Sequence, residues 1–439
     1  MLRAVGAIRR DPLRFLVEMH RRYGDVLQLP IPAPATYVVT GPDAVRRVLV
    51  TNAKGYGKRT LQYTTLALVT GEGLLTADTE AWRPQRRIIQ PAFHHASLEL
   101  VAGHVTTAVE RLLNRWSDGD VVDVDEAMMH VALEVVGAAL FGSDLSADAA
   151  RLADATVAAL GVVVRKARSP LPVPVGVPTP TNLVLRRAVG RLDAAVDAML
   201  AERATRPLPG GAPPRDLLDM LLAAHDDDGS RLSRAQVRDQ VVTFVVAGHE
   251  TVASALTWAW HLLATHPEAA RRLRSEVDAV CGARAPAFTD LSRLSWTRAV
   301  LDETLRLYPP AWLVTRRSLA PDVLDGVDVP ADALVIVSPW LVHRHEDAWP
   351  DPDRFDPSRF LDDDGARRRE VVTSPAYLPF GAGPRMCIGR DLALLEGGLV
   401  LASLAARVEL EEVGPPPRPV PLVTVRPAGG LPMRVRLRS

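Results

Sequence analysis

The sequence predicts a mainly α-helical protein with a minor β component, in one big domain or two to three ordinary ones. Apolar residues recur at helical spacing through most of the chain, with Pro or Gly ending each stretch. Only two short runs, Tyr37–Thr40 and Ala333–Val337, have β character. The 439 residues are 47% hydrophobic, which is enough for one large core. No repeat and no clear linker divides them.

Taken in order, the first segment (Met1–Pro12) carries Arg3, Arg9 and Arg10 without the apolar centre of a secretory signal. Ser169–Pro180 is rich in Pro yet also holds Leu171, Val173, Val175 and Val177. That mixture suits a loop covering a pocket better than a solvated tether. A long helix is expected from about Ser233 to about Ala264, with Ser233 as N-cap and His266-Pro267 as its stop. It would be about 48 Å long, enough to cross a domain. Its Val241–Ala247 stretch is apolar all round and should be buried on every side. A second helix, about Ser295–Leu307, ends at Tyr308-Pro309-Pro310, and a third begins just after Cys387 and reaches about Ala406. No uncharged apolar run attains the roughly 18–20 residues of a membrane span.

Composition removes several function classes. Acidic and basic residues number 52 each, so no global field favours nucleic acid or an anionic membrane. With only 6 Tyr and 8 Phe, a base-stacking platform is not expected either. The two cysteines, Cys281 and Cys387, make no disulfide framework and lack C-x-x-C zinc spacing, a pattern suited to the reducing cytoplasm.

Cys387 lies in Phe380-Gly-Ala-Gly-Pro-Arg-Met-Cys387-Ile-Gly-Arg390. A lone cysteine is by default an ordinary core residue. Here a helix start, Arg385 and Arg390 all favour the thiolate. Gly381, Gly383 and Gly389 free the backbone to turn and let a flat ligand approach.

Five further segments carry chemistry. Ala247-Gly248-His249-Glu250-Thr251 sets an acid and an alcohol beside two small residues in the apolar helix. A carboxylate there is costly unless paired or used, and the bland alternative is a satisfied polar pair at a helix bend. Glu303 and Arg306 are spaced to pair on one helix face, which on most surfaces means little. Asp356-Pro357-Ser358-Arg359-Phe360 follows, and Trp82 and Arg86 stand one turn apart. Val314-Thr315-Arg316-Arg317 offers two adjacent guanidinium groups.

Together these motifs resemble the cytochrome P450 family. The cysteine segment meets its F-x-x-G-x-R-x-C-x-G signature, at Phe380, Gly383, Arg385, Cys387 and Gly389, with Ala393 and Glu396 following. The resemblance runs from about Asp11 to the C-terminus. It implies the single-domain cytochrome P450 fold, with haem b between the long distal helix and the Cys-loop helix. Cys387 is then the iron ligand, Phe380 packs near the sulfur, and Arg385, Trp82, Arg86 and Arg317 face the propionates, with Arg316 as the alternative to Arg317. Gly381, Gly389, Ala247 and Gly248 complete the cofactor contacts. Glu250 and Thr251 deliver protons, while Glu303, Arg306 and Arg359 form a structural network. His249 receives no chemical role.

The implied reaction is hydroxylation or epoxidation of a hydrophobic molecule with O2 and two electrons, in bacterial secondary metabolism. Phe244, Ala247, Ala311, Leu313 and Val314 are the expected substrate wall, with Gln62–Leu68, Ser169–Pro180 and the turn at Ala428–Leu431. A terpene, polyketide or fatty-acyl substrate would fit. The run from Trp312 to Arg317 is similar to bacterial terpene and fatty-acid oxidising members. Unlike many members the chain has no proline-rich leader, which points to a trimmed or displaced start. No reductase module follows Ser439, so electrons are expected from NAD(P)H through a ferredoxin reductase and a separate ferredoxin. The ferredoxin would dock on Arg83, Arg87, Arg385 and Arg390 of a cytoplasmic monomer. A peroxide-driven peroxygenase, a non-catalytic haem sensor and a helical binding protein without haem are the rivals.

Overall fold

A computed structural model describes residues 6–438 apart from 7, 9, 32, 94, 143–154, 157, 164–165, 167–172, 207, 210–213, 226–228 and 362–365. Its principal helices are α1 (Pro12–Tyr23), α2 (Thr79–Ile89), α3 (Val124–Phe141), α4 (Pro180–Thr205), α5 (Arg234–Thr265), α6 (Pro267–Cys281), α7 (Ser295–Leu307) and α8 (Arg390–Arg407). Its main strands are β1 (Val26–Leu29), β2 (Thr36–Val39), β3 (Tyr56–Gly57), β4 (Val121–Asp123), β5 (Val314–Ser318), β6 (Leu334–Val337), β7 (Val408–Glu412) and β8 (Pro432–Leu437). The expected fold class, mainly α with a minor β part, is what is found.

The residues gather into two compact units. One comprises Met1–Gly57, Val105–Val131 and Glu250–Ser439; the other comprises Lys58–His104 and Ala132–His249. The long helix α5 gives residues up to His249 to the second and from Glu250 onward to the first.

In the first unit, β1-β2-β6-β5-β3 form one sheet and β4-β8-β7 another. The two β-like runs seen in the sequence become β2 and β6, which pair in parallel with Tyr37 opposite Val335. Alternation sends their side chains to two cores. Val39, Val335 and Val337 pack with Val45, Val48 and Leu378, while Val38 joins Leu16, Trp258 and Trp340 on the other face. Both faces are thus covered, which is why these strands read as unbroken apolar runs. Helix α7 starts where its own N-cap residue, Leu294, supplies no side-chain bond. Glu276 of α6 caps it instead, accepting from the amides of Trp296 (2.6 Å) and Thr297 (2.8 Å). Pro309 and Pro310 end it, as expected.

In the second unit, α5 begins with a capping box. Gln236 N–H donates to Ser233 Oγ (3.2 Å), and Ser233 N–H donates to Gln236 Oε1 (2.8 Å). Gln240 then donates to buried Gln85 of α2 at 2.8 Å and accepts from the Leu74 amide at 3.0 Å, fixing α2 on the helix. Helix α5 is long and apolar enough to cross a membrane, but 78% of that stretch is buried inside the protein. Such a helix is a core element.

The Pro-rich stretch exposes two of its apolar side chains. Residues 169–172 lie outside the described set, and Val173 and Val177 are 38% and 44% exposed. Val175, between them, is half-buried. The loop is held through its carbonyls, with Asn182 Nδ2 donating to Pro174 and Val177 (both 2.8 Å) and Lys166 Nζ to Val173 (2.9 Å).

Candidate active site

The two thiols have opposite fates. Cys281 is buried at the end of α6, where burial pushes its pKa up, as in an ordinary core cysteine. Cys387 is exposed, an unusual setting for an unoxidised cysteine. Its amide donates to the Phe380 carbonyl at 2.9 Å and the Met386 amide to Gly383 at 3.0 Å, so the loop holds a fixed shape. Gly383 has φ +69, and a Cβ there would lie 2.0 Å from the Leu49 carbonyl oxygen. Only glycine fits this close approach. A Cβ built on Gly381 or Gly389 meets nothing within 4 Å, so the loop borders open space on either side of the cysteine in sequence. An exposed thiol on a pinned loop, flanked by bare glycine backbone, fits a flat group ligated through sulfur. Helix α8 starts only at Arg390, whose charge is engaged by Asp391 at 2.8 Å. The positive surroundings expected for the thiol are therefore weaker on that side.

His343 anchors the loop from behind. It is completely buried; its Nδ1 lies 3.0 Å from the Arg306 carbonyl, and its Nε2 accepts from the Leu378 amide at 2.6 Å. Burial lowers its pKa to about 3, so the ring is neutral, with the proton on Nδ1. Sequence reasoning missed this residue, because both bonds join segments distant in the chain.

On α5, Val241, Val242, Val245 and Val246 are buried, whereas Ala247, Gly248, Glu250 and Thr251 keep some accessible surface. Gly248, expected as a cofactor contact, also meets a neighbouring helix. A Cβ there would lie 2.8 Å from Val136 of α3, so its small size serves helix packing. His249 is fully buried with Nδ1 2.6 Å from the Val245 carbonyl. Glu250 is the perturbed group. Burial raises its carboxyl to about 7; Arg426 opposes the rise and Asp125 adds to it. Arg426 itself bonds Asp125 at 2.5 Å, and Thr257 donates to Asp125 at 3.1 Å. Ser254 and Trp258 of α5 both donate to the Val425 carbonyl (2.7 and 2.8 Å), which holds the neighbouring Arg426 in register with the helix. Asp125 and Arg426 had no local signal in the sequence.

Glu303, Arg306 and Arg359 are brought together. Arg306 donates to both Glu303 oxygens (2.6 and 2.8 Å) and to the carbonyls of His343, Pro352 and Arg354. Glu303 also accepts from the Asp356 amide at 2.8 Å, with Arg359 Nε 3.5 Å away. Trp82 is buried and Arg86 half-buried; with Arg83, Arg87, Gln90 and Pro91 they line a hollow of about 340 Å³.

Arg317, favoured as propionate partner, and Arg316, its alternative, have different surroundings. Strand alternation places Arg317 at the surface, where it pairs with Asp332 at 2.7 Å. Arg316 is 6% exposed, bonds the Thr315 carbonyl at 2.9 Å, and has no acidic partner among the described residues. Arg316 is the guanidinium left available.

Of the substrate-wall residues, Phe244 is buried edge-on against Phe93 with ring centres 5.3 Å apart. Leu313 is half-buried and Ala311 exposed, while Val314 also packs on the sheet core.

The comparisons with known proteins agree with this geometry. The family model for Cytochrome P450 matches residues 3–431. The chain belongs to the cytochrome P450 family, and it is an enzyme of the monooxygenase type. It is 37% identical to Cyclooctat-9-en-7-ol 5-monooxygenase of Streptomyces melanosporofaciens, over 95% of this chain and 88% of that one. It is 35% identical to Pentalenene oxygenase of Streptomyces avermitilis, over 98% and 93%. Among solved structures, the cytochrome P450DA heme domain superposes with a TM-score of 0.87 at 27% identity, covering 98% of this chain and 93% of that one. A 6-coordinated cytochrome P450 from Thermus thermophilus superposes with a TM-score of 0.75 at 30% identity, covering 97% and 98%. The family implies a haem cofactor.

Proposed function

We propose that this enzyme inserts one oxygen atom of O2 into a cyclic terpene-type molecule, by hydroxylation or epoxidation, in bacterial secondary metabolism. The observation that carries the reading is Glu250, an acid raised to about 7 beside Thr251 in the buried middle of α5. Such a group can hold and release a proton at neutral pH.

Cys387 would ligate the iron of haem b, with Phe380, Gly381, Arg385 and Gly389 around it, Ala247 toward the substrate, and Trp82, Arg86 and Arg316 for the propionates. When bound, the haem supplies oxygen activation, and a thiolate ligand favours O–O cleavage. The chain does the remaining work. Glu250 holds a proton on its carboxyl and Thr251 relays it through its hydroxyl. Arg426 and Asp125 set how readily that proton leaves. Phe244, Leu313 and Val314 exclude water and orient an apolar ring system.

The substrate class rests on two relatives whose names specify cyclooctat-9-en-7-ol and pentalenene. Electrons come from NAD(P)H through a ferredoxin and its reductase, with Arg83, Arg87 and Arg385 attracting the acidic donor to a cytoplasmic monomer.

The test is a panel of cyclic terpenes, fatty acids and macrolides, scored by the substrate-induced shift of the Soret band and by product mass. Cyclic terpenes should shift the band and gain one oxygen with NADPH, ferredoxin and reductase. Turnover with hydrogen peroxide alone, or a response confined to fatty acids, would overturn the reading.

A further inference from the structure

A second cluster of metal-capable side chains lies at the end of α1. His20 is on its last turn, Asp25 immediately precedes β1, and His345 follows the short helix Pro339–Val342. His345 Nε2 is 3.0 Å from Asp25 Oδ1, and His20 Nδ1 is 3.7 Å from the same oxygen. The three candidate donor atoms all lie within 4.8 Å of one another. Ligands of a tetrahedral zinc ion, bound at 2.0–2.1 Å, sit about 3.3 Å apart. The separations found here bracket that value, so small side-chain rotations would close the set.

The surroundings favour a cation over an isolated hydrogen-bond cluster. Thr40 Oγ1 stands 3.1 Å from His20 Nδ1, 3.3 Å from Asp25 Oδ1 and 3.2 Å from the Asp25 carbonyl oxygen. Its hydroxyl can therefore turn from the ring to the carbonyl if His20 gives its lone pair to a metal. His345 is 7% exposed, and its Nδ1 has no hydrogen-bond partner. Asp25 is the group that orients this imidazole, with Asp347 at 4.0 Å on the far side.

Two further carboxylates add negative charge. A Cβ built on Gly41 would meet Asp325 Oδ2 at 2.7 Å and Asp25 Oδ2 at 3.2 Å, so these oxygens converge on one place. No arginine or lysine pairs with Asp25, Asp43 or Asp325 among the described residues. Two imidazoles and a carboxylate in an uncompensated negative field are a donor set for zinc.

We propose that His20, Asp25 and His345 bind a divalent metal ion of the zinc type, completed by water. The ion would tie α1 and the start of β1 to a segment 320 residues away in the sequence. Its role is to hold the N-terminal helix, and it takes no part in oxygen chemistry.

The test is zinc titration of tag-free, haem-loaded protein by calorimetry and thermal unfolding. One equivalent should bind and raise the Tm by about 2 °C or more. His20→Gln, Asp25→Asn and His345→Gln should each weaken binding by at least about tenfold. His130→Gln, at an exposed His–Glu pair on α3, should leave it unchanged. The CO-difference spectrum checks that each variant is folded and loaded. Absence of stoichiometric binding, or equal binding by wild type and His20→Gln, would overturn the proposal.

Discussion

Arg306 grips Glu303 through two parallel hydrogen bonds of 2.6 and 2.8 Å, and neither side chain has any exposure. The remaining Arg306 donors reach three carbonyls on the segment between His343 and Arg354. The pair is therefore a splice between α7 and the chain leading to the cysteine loop. Lysine cannot reproduce the planar fork. Arg306→Lys should cost roughly 3–5 kcal/mol, the usual result of breaking a buried pair. Denaturant unfolding would read the loss, and the CO-difference spectrum would show little haem-loaded protein.

Glu250 predicts a pH signature in two observables. Its folded pKa, about 7, lies above the ordinary 4.5 because of burial. The folded state then holds a proton that the unfolded state has released, so this group's contribution to stability falls as pH rises from 4.5 to 7. Glu250→Gln should flatten that slope in a series of Tm values. The same variant should slow product formation by about 100-fold at neutral pH. Thr251→Ala should instead leave electron consumption in place and divert it from product, measured as product per NADPH.

Arg426 should tune that acid without touching substrate. It lowers the Glu250 pKa and compensates Asp125, which raises it. Arg426→Leu should move the basic limb of the turnover–pH profile to higher pH. An unmoved limb would exclude this role.

His343 gives the opposite pH slope. Burial takes its pKa from 6.5 to about 3, so protons bind the unfolded state first as pH falls. Its contribution to stability is lost between those values on acidification. His343→Phe should remove this dependence. It should also cost roughly 2–6 kcal/mol at neutral pH, because the Arg306 carbonyl and Leu378 amide both lose a partner.

The cysteine loop separates two glycines. Gly381 has φ +70 but open space around it, so Gly381→Ala should cost only about 1–2 kcal/mol of backbone strain. Gly383→Ala sets a methyl against the Leu49 carbonyl and should abolish haem incorporation, read as the loss of the Soret band.

The readings that carried through were local ones. Ser233 and the His266-Pro267 stop bound α5, and the spacing of Glu303 and Arg306 put both on one helix face. The spacing around Cys387 marked a turn that tolerates no side chain at Gly383. Where contacts run between distant segments, the sequence was silent or misleading. The close approach of Val136 to Gly248 and the exposure of Val173 and Val177 had no signal in the sequence.

By itself, then, the sequence determined the helical class, the glycine-rich cysteine loop and the adjacent Glu250 and Thr251, because each is written in neighbours a few residues apart. Only the tertiary structure decided which adjacent arginine is buried, that burial raises Glu250 beside the Arg426–Asp125 pair, and that His343 backs the loop. Those outcomes depend on strand register and on burial, which are set by packing between segments far apart in the chain. No local pattern encodes them.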